Sequence, residues 1–107
     1  MRYAWFLGNS GFRPHPVAGK DPNHWGLHDL VGNCWEWCWD WYAPYDPQAV
    51  DNPRGPDSGT GRVLRGGSFV GGSRDLGSAV RGGRAPEFRR EYIGFRCVRG
   101  AGRQPVA

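Results

Sequence analysis

Four tryptophans at every second position, Trp35, Trp37, Trp39 and Trp41, constrain this chain more than any other feature. Side chains return to one face of a strand every second residue, but to one face of a helix only about every 3.6 residues. Residues 35–42 therefore read as a strand with one aromatic face. Its other face carries Glu36, Cys38, Asp40 and Tyr42. The competing helical pattern, apolar at i, i+3, i+4 and i+7, does not persist over three turns anywhere in the sequence. Low helix content follows as an expectation, with a core built on Trp35, Trp37, Trp39, Trp41 and Phe95. Only 38% of the 107 residues are hydrophobic, while 14% are aromatic. A few rings must then carry the burial, each removing roughly 150–250 Å² from water.

The remaining signals are short. Residues 62–64 read as a strand running into Gly66-Gly67, with 68–70 continuing it. Residues 93–99 alternate Ile93, Phe95, Cys97 and Arg99 against Gly94, Arg96 and Val98, which predicts a second firm strand. Residues 43–61 hold Pro44, Pro47, Pro53 and Pro56 and read as a long ordered loop or linker. Residues 71–92 offer few apolar anchors. The chain has 18 glycines and 9 prolines, a level that often marks disorder. Here aromatic residues are interleaved with the glycines, which points to an ordered, turn-rich structure. The length allows one domain over residues 1–107, with 100–107 a frayed tail.

Composition also narrows the function classes. No run of about 20 apolar residues exists to span a membrane, and residues 1–6 lack the apolar stretch of a signal peptide. A cytoplasmic protein is the expectation. Three cysteines, Cys34, Cys38 and Cys97, close no disulfide framework; reduced thiols are expected, with a Cys38–Cys97 bridge as the alternative. Charge is split: residues 1–60 set four cations against seven acids, whereas residues 61–107 set ten arginines against Asp75, Glu87 and Glu91. The basic stretch 81–90, with Phe88 to stack on a base, raises nucleic-acid binding as one reading. The favoured reading is that these arginines pack on aromatic rings and pair with acids, so nucleic acid is not the expected partner. His24 and His28 have metal spacing only on a helix, and none is expected there; with His15 they read as loop histidines. Cys34 and Cys38 lack the second ligand pair that zinc requires.

Several blocks fall in a fixed order: Asn9-Ser10-Gly11, His15-Pro16-Val17, Pro22-Asn23, Trp25-Gly26-Leu27-His28-Asp29-Leu30, Gly32-Asn33-Cys34-Trp35-Glu36-Trp37, Asp40-Trp41-Tyr42, Arg62-Val63-Leu64-Arg65-Gly66-Gly67-Ser68 and Gly94-Phe95-Arg96-Cys97. This series resembles the C-terminal portion of the sulfatase-modifying-factor, or formylglycine-generating enzyme, family. The resemblance implies an irregular α+β fold of the C-type-lectin-like kind, loop-rich, with short antiparallel strands and little helix. It also implies a preceding segment with two helices and an opening strand, and nothing before Asn9 resembles one. The expectation is an incomplete domain: a fragment, a truncated gene product, or a reduced domain completed by a partner chain or an oligomer.

What the resemblance implies about chemistry depends on particular residues. Oxidases of the family hold copper between two thiolates, three and eight residues after the serine of the Arg-Gly-Gly-Ser block. Those positions are Gly71 and Leu76 here. Neither binds copper, so no copper is expected and a formylglycine-generating oxidase is the alternative reading. The Gly-Asn-Cys-Trp-Glu segment corresponds to a structural calcium site, for which Asn33 and Glu36 are the candidate ligands, since calcium takes six to eight oxygens. Without calcium, Glu36 would pair with an arginine such as Arg65 or Arg96. Other proteins of this fold display changeable residues between the Arg-Gly-Gly-Ser and Gly-Phe-Arg blocks, as the variable proteins of diversity-generating retroelements do. That pattern predicts a non-catalytic binding module. Phe69, Val70, Asp75, Arg84, Phe88, Arg90 and Tyr92 are its candidate ligand-binding residues and a protein or peptide is its partner.

Overall fold

The computed structural model describes residues 2–45 and 55–99. β1 (Trp35–Trp41), β2 (Arg62–Arg65), β3 (Arg81–Arg84) and β4 (Ile93–Gly94) form one sheet in the order β3-β2-β1-β4, and a short 3-10 turn spans Ser73–Leu76. No α-helix occurs among the described residues, and none of their helical segments is long and apolar enough to cross a membrane. The loop-rich, helix-poor architecture agrees with the absence of amphipathic periodicity. The predicted loop at 43–61 lies partly outside the described residues, and the predicted tail at 100–107 lies wholly outside them.

β1 forms where the alternating tryptophans place it. It pairs antiparallel with β2 through Glu36 and Arg65, Trp37 and Leu64, and Trp41 and Arg62. On its other edge it runs parallel to β4, with Trp35 opposite Ile93. β3 closes the sheet against β2, with Leu64 opposite Gly82 and Val63 opposite Gly83. Residues directly opposite each other share a face, so Trp37, Leu64 and Gly82 lie on one side, and Val63 and Gly83 on the other. Val63 and Leu64 are both buried, which makes β2 the strand covered on both faces.

The tryptophan face is not the core, contrary to the sequence expectation. Between the Trp37 and Trp41 pairings, β1 advances four residues while β2 advances two. The excess bulges out of the ladder, and Trp39, at the bulge, is 83% exposed. Arg62 covers the rings instead of a second apolar layer. Its guanidinium carbon lies 4.6 Å from the Trp39 ring centroid and 3.5 Å from that of Trp41, and its Nη1 donates to the Trp39 carbonyl. Trp35, Trp37 and Trp41 are half-buried. The strand expected over 93–99 stops at Gly94, which leaves Phe95 76% exposed.

Among the described residues the buried apolar ones are Ala4, Val63, Leu64 and Phe69. Val63 and Leu64 lie in β2, and Ala4 and Phe69 sit where three loops cross. Gly66 and Gly67 turn the chain after β2 with φ of +99° and +71°; a Cβ would fall 2.9 Å from the Leu30 carbonyl oxygen at Gly66 and 2.8 Å from that of Asp75 at Gly67. Only glycine accepts such a conformation at such an approach. The reversal brings the Gly32 amide to the Gly66 carbonyl at 2.6 Å and the Phe69 amide to the Asn33 carbonyl at 2.7 Å. Asn33 in turn donates to the Trp5 carbonyl at 2.7 Å, and Leu7 to Gly71 at 2.9 Å. Residues 68–70 thus form the crossing, not a continuation of β2 as expected.

Candidate ligand-binding site

β3 was not foreseen from its sequence, Arg-Gly-Gly-Arg, and it builds one wall of the site. Its glycines do different work. At Gly83 a Cβ would stand 2.6 Å from Cγ of Tyr42, so that ring packs flat against the strand. At Gly82, on the opposite face, nothing lies within 4 Å of where a Cβ would be. The missing side chain opens a hollow of about 80 Å³, floored by Trp35, Leu64 and Ile93 and rimmed by Arg84, Phe88 and Tyr92. Two local bonds set the rim. The Phe88 amide donates to the Ala85 carbonyl at 3.0 Å, folding 85–88 into a turn, and the Trp35 amide donates to the Tyr92 carbonyl at 2.8 Å.

Four of the seven ligand-binding candidates meet here. The guanidinium carbons of Arg84 and Arg90 lie 5.4 Å and 4.2 Å from the Phe88 centroid, and Tyr92 stands across the hollow. Among the described residues, Arg84 and Arg90 otherwise donate to the neighbouring carbonyls of Gly83 and Arg89. The ion pairs among the described residues, Arg2–Asp21 and Arg96–Glu36, involve neither. The other three candidates lie elsewhere. Phe69 is a correction: it is 2% exposed, its amide bonds Asn33 and its carbonyl accepts from Ser10 Oγ at 2.8 Å, so its ring belongs to the core. Val70 follows it in the crossing. Asp75 stands in the 3-10 turn, packed on Gly67 and Gly71. Trp35, Leu64 and Ile93 were missed as lining residues. Their pairing across the sheet brings them together, and no local signal marks it.

Asn33 and Glu36 have other partners. The Asn33 side chain is spent on His15, accepting from its amide and donating to its carbonyl, both at 3.0 Å. Both Glu36 oxygens accept from Arg96, at 2.5 Å and 2.7 Å. As arranged, both side chains are engaged by protein partners, and a calcium ion would have to displace them. On the same segment, Asp29 is 8% exposed; its Oδ2 accepts from the Ala18 amide at 2.9 Å, while Oδ1 is buried without a partner. Arg96 Nη2 also donates to the Asp29 carbonyl at 2.9 Å. Its hydrogen bond to Glu36 pushes the Arg96 pKa above the usual guanidinium value.

The histidines serve the loops, as expected. His15 stacks on Trp5 with centroids 3.6 Å apart, and His28 Nδ1 lies 2.9 Å from the Lys20 carbonyl. The three cysteines are free. Burial pushes the Cys34 and Cys38 thiols above the ordinary range, with nearby carboxylates adding to it. No group of three or more His, Cys, Asp or Glu side chains suited to a metal occurs among the described residues.

Comparison with known proteins agrees with the fold. The sequence profile of the Sulfatase-modifying factor enzyme 1-like domain matches residues 2–101. A formylglycine-generating enzyme of Thermomonospora curvata is 40% identical over 91 residues, covering 78% of this chain and 30% of that protein. The inactive C-alpha-formylglycine-generating enzyme 2 of Bos taurus is 41% identical over 96 residues, covering 84% of this chain and 28% of that protein. Among solved structures, Treponema denticola variable protein 1 superposes with a TM-score of 0.83 at 43% identity, covering 88% of this chain and 34% of that one. The chain therefore spans about a third or less of each of these proteins.

Proposed function

The chain belongs to the sulfatase-modifying factor family, and from that membership we propose that it is a non-catalytic module binding a protein or peptide on the sheet face rimmed by Arg84, Phe88 and Tyr92. One observation carries this reading: Arg84 and two aromatic rings, Phe88 and Tyr92, line an open, mostly apolar hollow, and a second arginine, Arg90, lies against the Phe88 ring. Aromatic and arginine side chains are the groups that most often dominate binding energy. The likeness to a variable protein supports it. So do Gly71 and Leu76, which leave the family's copper positions without thiolates. Alanine at Phe88, Tyr92 or Arg84 is expected to cost on the order of 2 kcal/mol of binding while barely moving the melting temperature. Turnover of a cysteine-containing peptide to formylglycine with added copper would replace this reading with the oxidase. The free thiols suit a reducing compartment, which supports a cytoplasmic location.

Calcium is a second proposal for the 29–36 segment, favoured by the unpaired buried oxygen of Asp29. It requires Arg96 to release Glu36. A melting temperature that rises with calcium in the wild type and not in Glu36→Gln supports it. No response to calcium or chelator leaves the ion pair alone as the role of Glu36.

A further inference from the structure

The chemistry of the hollow narrows the kind of partner it takes. Its floor is apolar and small. About 80 Å³ is roughly half the 150 Å³ of an engineered apolar cavity that takes up benzene. It suits one aliphatic side chain, such as valine or leucine, better than a ring. The rim carries arginine that forms no ion pair among the described residues. Arg84 and Arg90 lie against the one ring of Phe88, and among the described residues neither meets a carboxylate. Two like charges near one ring repel, and each guanidinium has N–H donors beyond the one given to its neighbouring carbonyl. Carboxylates beside an inserted side chain would relieve the repulsion and meet planar donors suited to them.

We propose that the hollow rimmed by Arg84, Phe88 and Tyr92, with Arg90 against the Phe88 ring, takes an acidic peptide segment, an aliphatic residue flanked by Asp or Glu. This rests on the binding-module reading and adds the chemistry of the partner. The aliphatic side chain enters between Trp35, Leu64 and Ile93, and the flanking carboxylates reach the two guanidiniums. Nucleic acid is the competing occupant of a basic aromatic site. It is disfavoured because a base is flat and too large for the hollow, whose lining is mostly apolar.

The test is selection of a random peptide library on the full chain, in parallel with the Arg84→Glu/Arg90→Glu double variant. Both arginines are exposed, and thermal melts check that the variant is folded. The expected consensus on the wild type is leucine, isoleucine or valine flanked by Asp or Glu. Its binding should weaken at least tenfold between low and high salt. The double variant should exchange the acidic flanks for Lys or Arg while keeping the aliphatic centre. Peptides that lack acidic flanks, yet lose binding in Tyr92→Ala and Phe88→Ala, overturn the acidic partner and leave the binding module standing. Peptides insensitive to those alanine variants, or no selected peptides at all, overturn both. A thymidine oligonucleotide that displaces the selected peptides from the wild type and fails to bind the double variant overturns the proposal in favour of nucleic acid.

Discussion

Arg96 does more for the fold than its half-exposed position suggests. Its Nε and Nη2 grip Glu36 at 2.5 Å and 2.7 Å, and Nη2 also donates to the carbonyls of His28 and Asp29, both at 2.9 Å. The chain after β4 is thereby tied to the loop before β1. The pair's side chains are 35% and 21% exposed, so solvent screens part of the attraction. Hydrogen bonds to a charged group still contribute more than neutral ones. Glu36→Gln is expected to lower unfolding stability by about 1 kcal/mol. Arg96→Ala, which also strips two carbonyls of their donor, should lower it by about 2 kcal/mol. Urea unfolding of both variants checks this; equal and negligible losses would make the pair a surface contact without structural weight. Arginine as the partner of Glu36 was open to sequence reasoning, since both residues stand in the recognised blocks. The orphaned Asp29 oxygen was not: only the folded position of Ala18 shows which carboxylate oxygen goes unpaired.

At the scale of elements, alternation located β1 but not its bulge. Nothing in Trp35-Glu36-Trp37-Cys38-Trp39-Asp40-Trp41 says that two residues of β2 will face four of β1. Register belongs to the pair of strands. The same limit hid β3. Arginine and glycine have little strand propensity, and the segment becomes a strand because β2 offers it an edge and Tyr42 packs on Gly83. Phe69 was misread for a related reason: its glycine- and serine-rich neighbours suggest a surface loop, and only the crossing of three loops buries it. A paired substitution separates the two kinds of apolar residue. Trp39→Ser is expected to cost less than about 1 kcal/mol, the value of an exposed contact with Arg62. Leu64→Ala, buried on the two-sided strand, should cost 2–5 kcal/mol, as core truncations do. Comparable losses in urea midpoint would mean that the tryptophan face is packed after all.

The whole molecule has a thin core for its length. Among the described residues, Val63, Leu64 and Phe69 are the large apolar side chains that are buried, whereas Trp25, Trp39, Phe95 and Val98 are each at least 76% exposed. Loop crossings held by backbone hydrogen bonds do much of the joining that a second apolar layer does in other domains. The slope of unfolding free energy against urea scales with the surface newly exposed, and runs at about 1–3 kcal/mol/M for small proteins. Little surface remains to be exposed here, so the slope is expected at or below about 1 kcal/mol/M. Native protein should also bind a hydrophobic dye such as ANS. A molten state would bind it too, but would lose its near-ultraviolet circular dichroism; six tryptophans, two of them against Arg62, should keep that signal strong. The three readings together are therefore distinctive: shallow slope, dye binding and intact aromatic dichroism. Because a ligand stabilises only the state that binds it, a peptide seated on the hollow should raise the urea midpoint and lower dye binding at once. A steep slope above about 1.5 kcal/mol/M without dye binding would mean that the exposed rings find cover in solution. The sheet face would then be an occupied surface, and the partner would have to be sought elsewhere on the molecule.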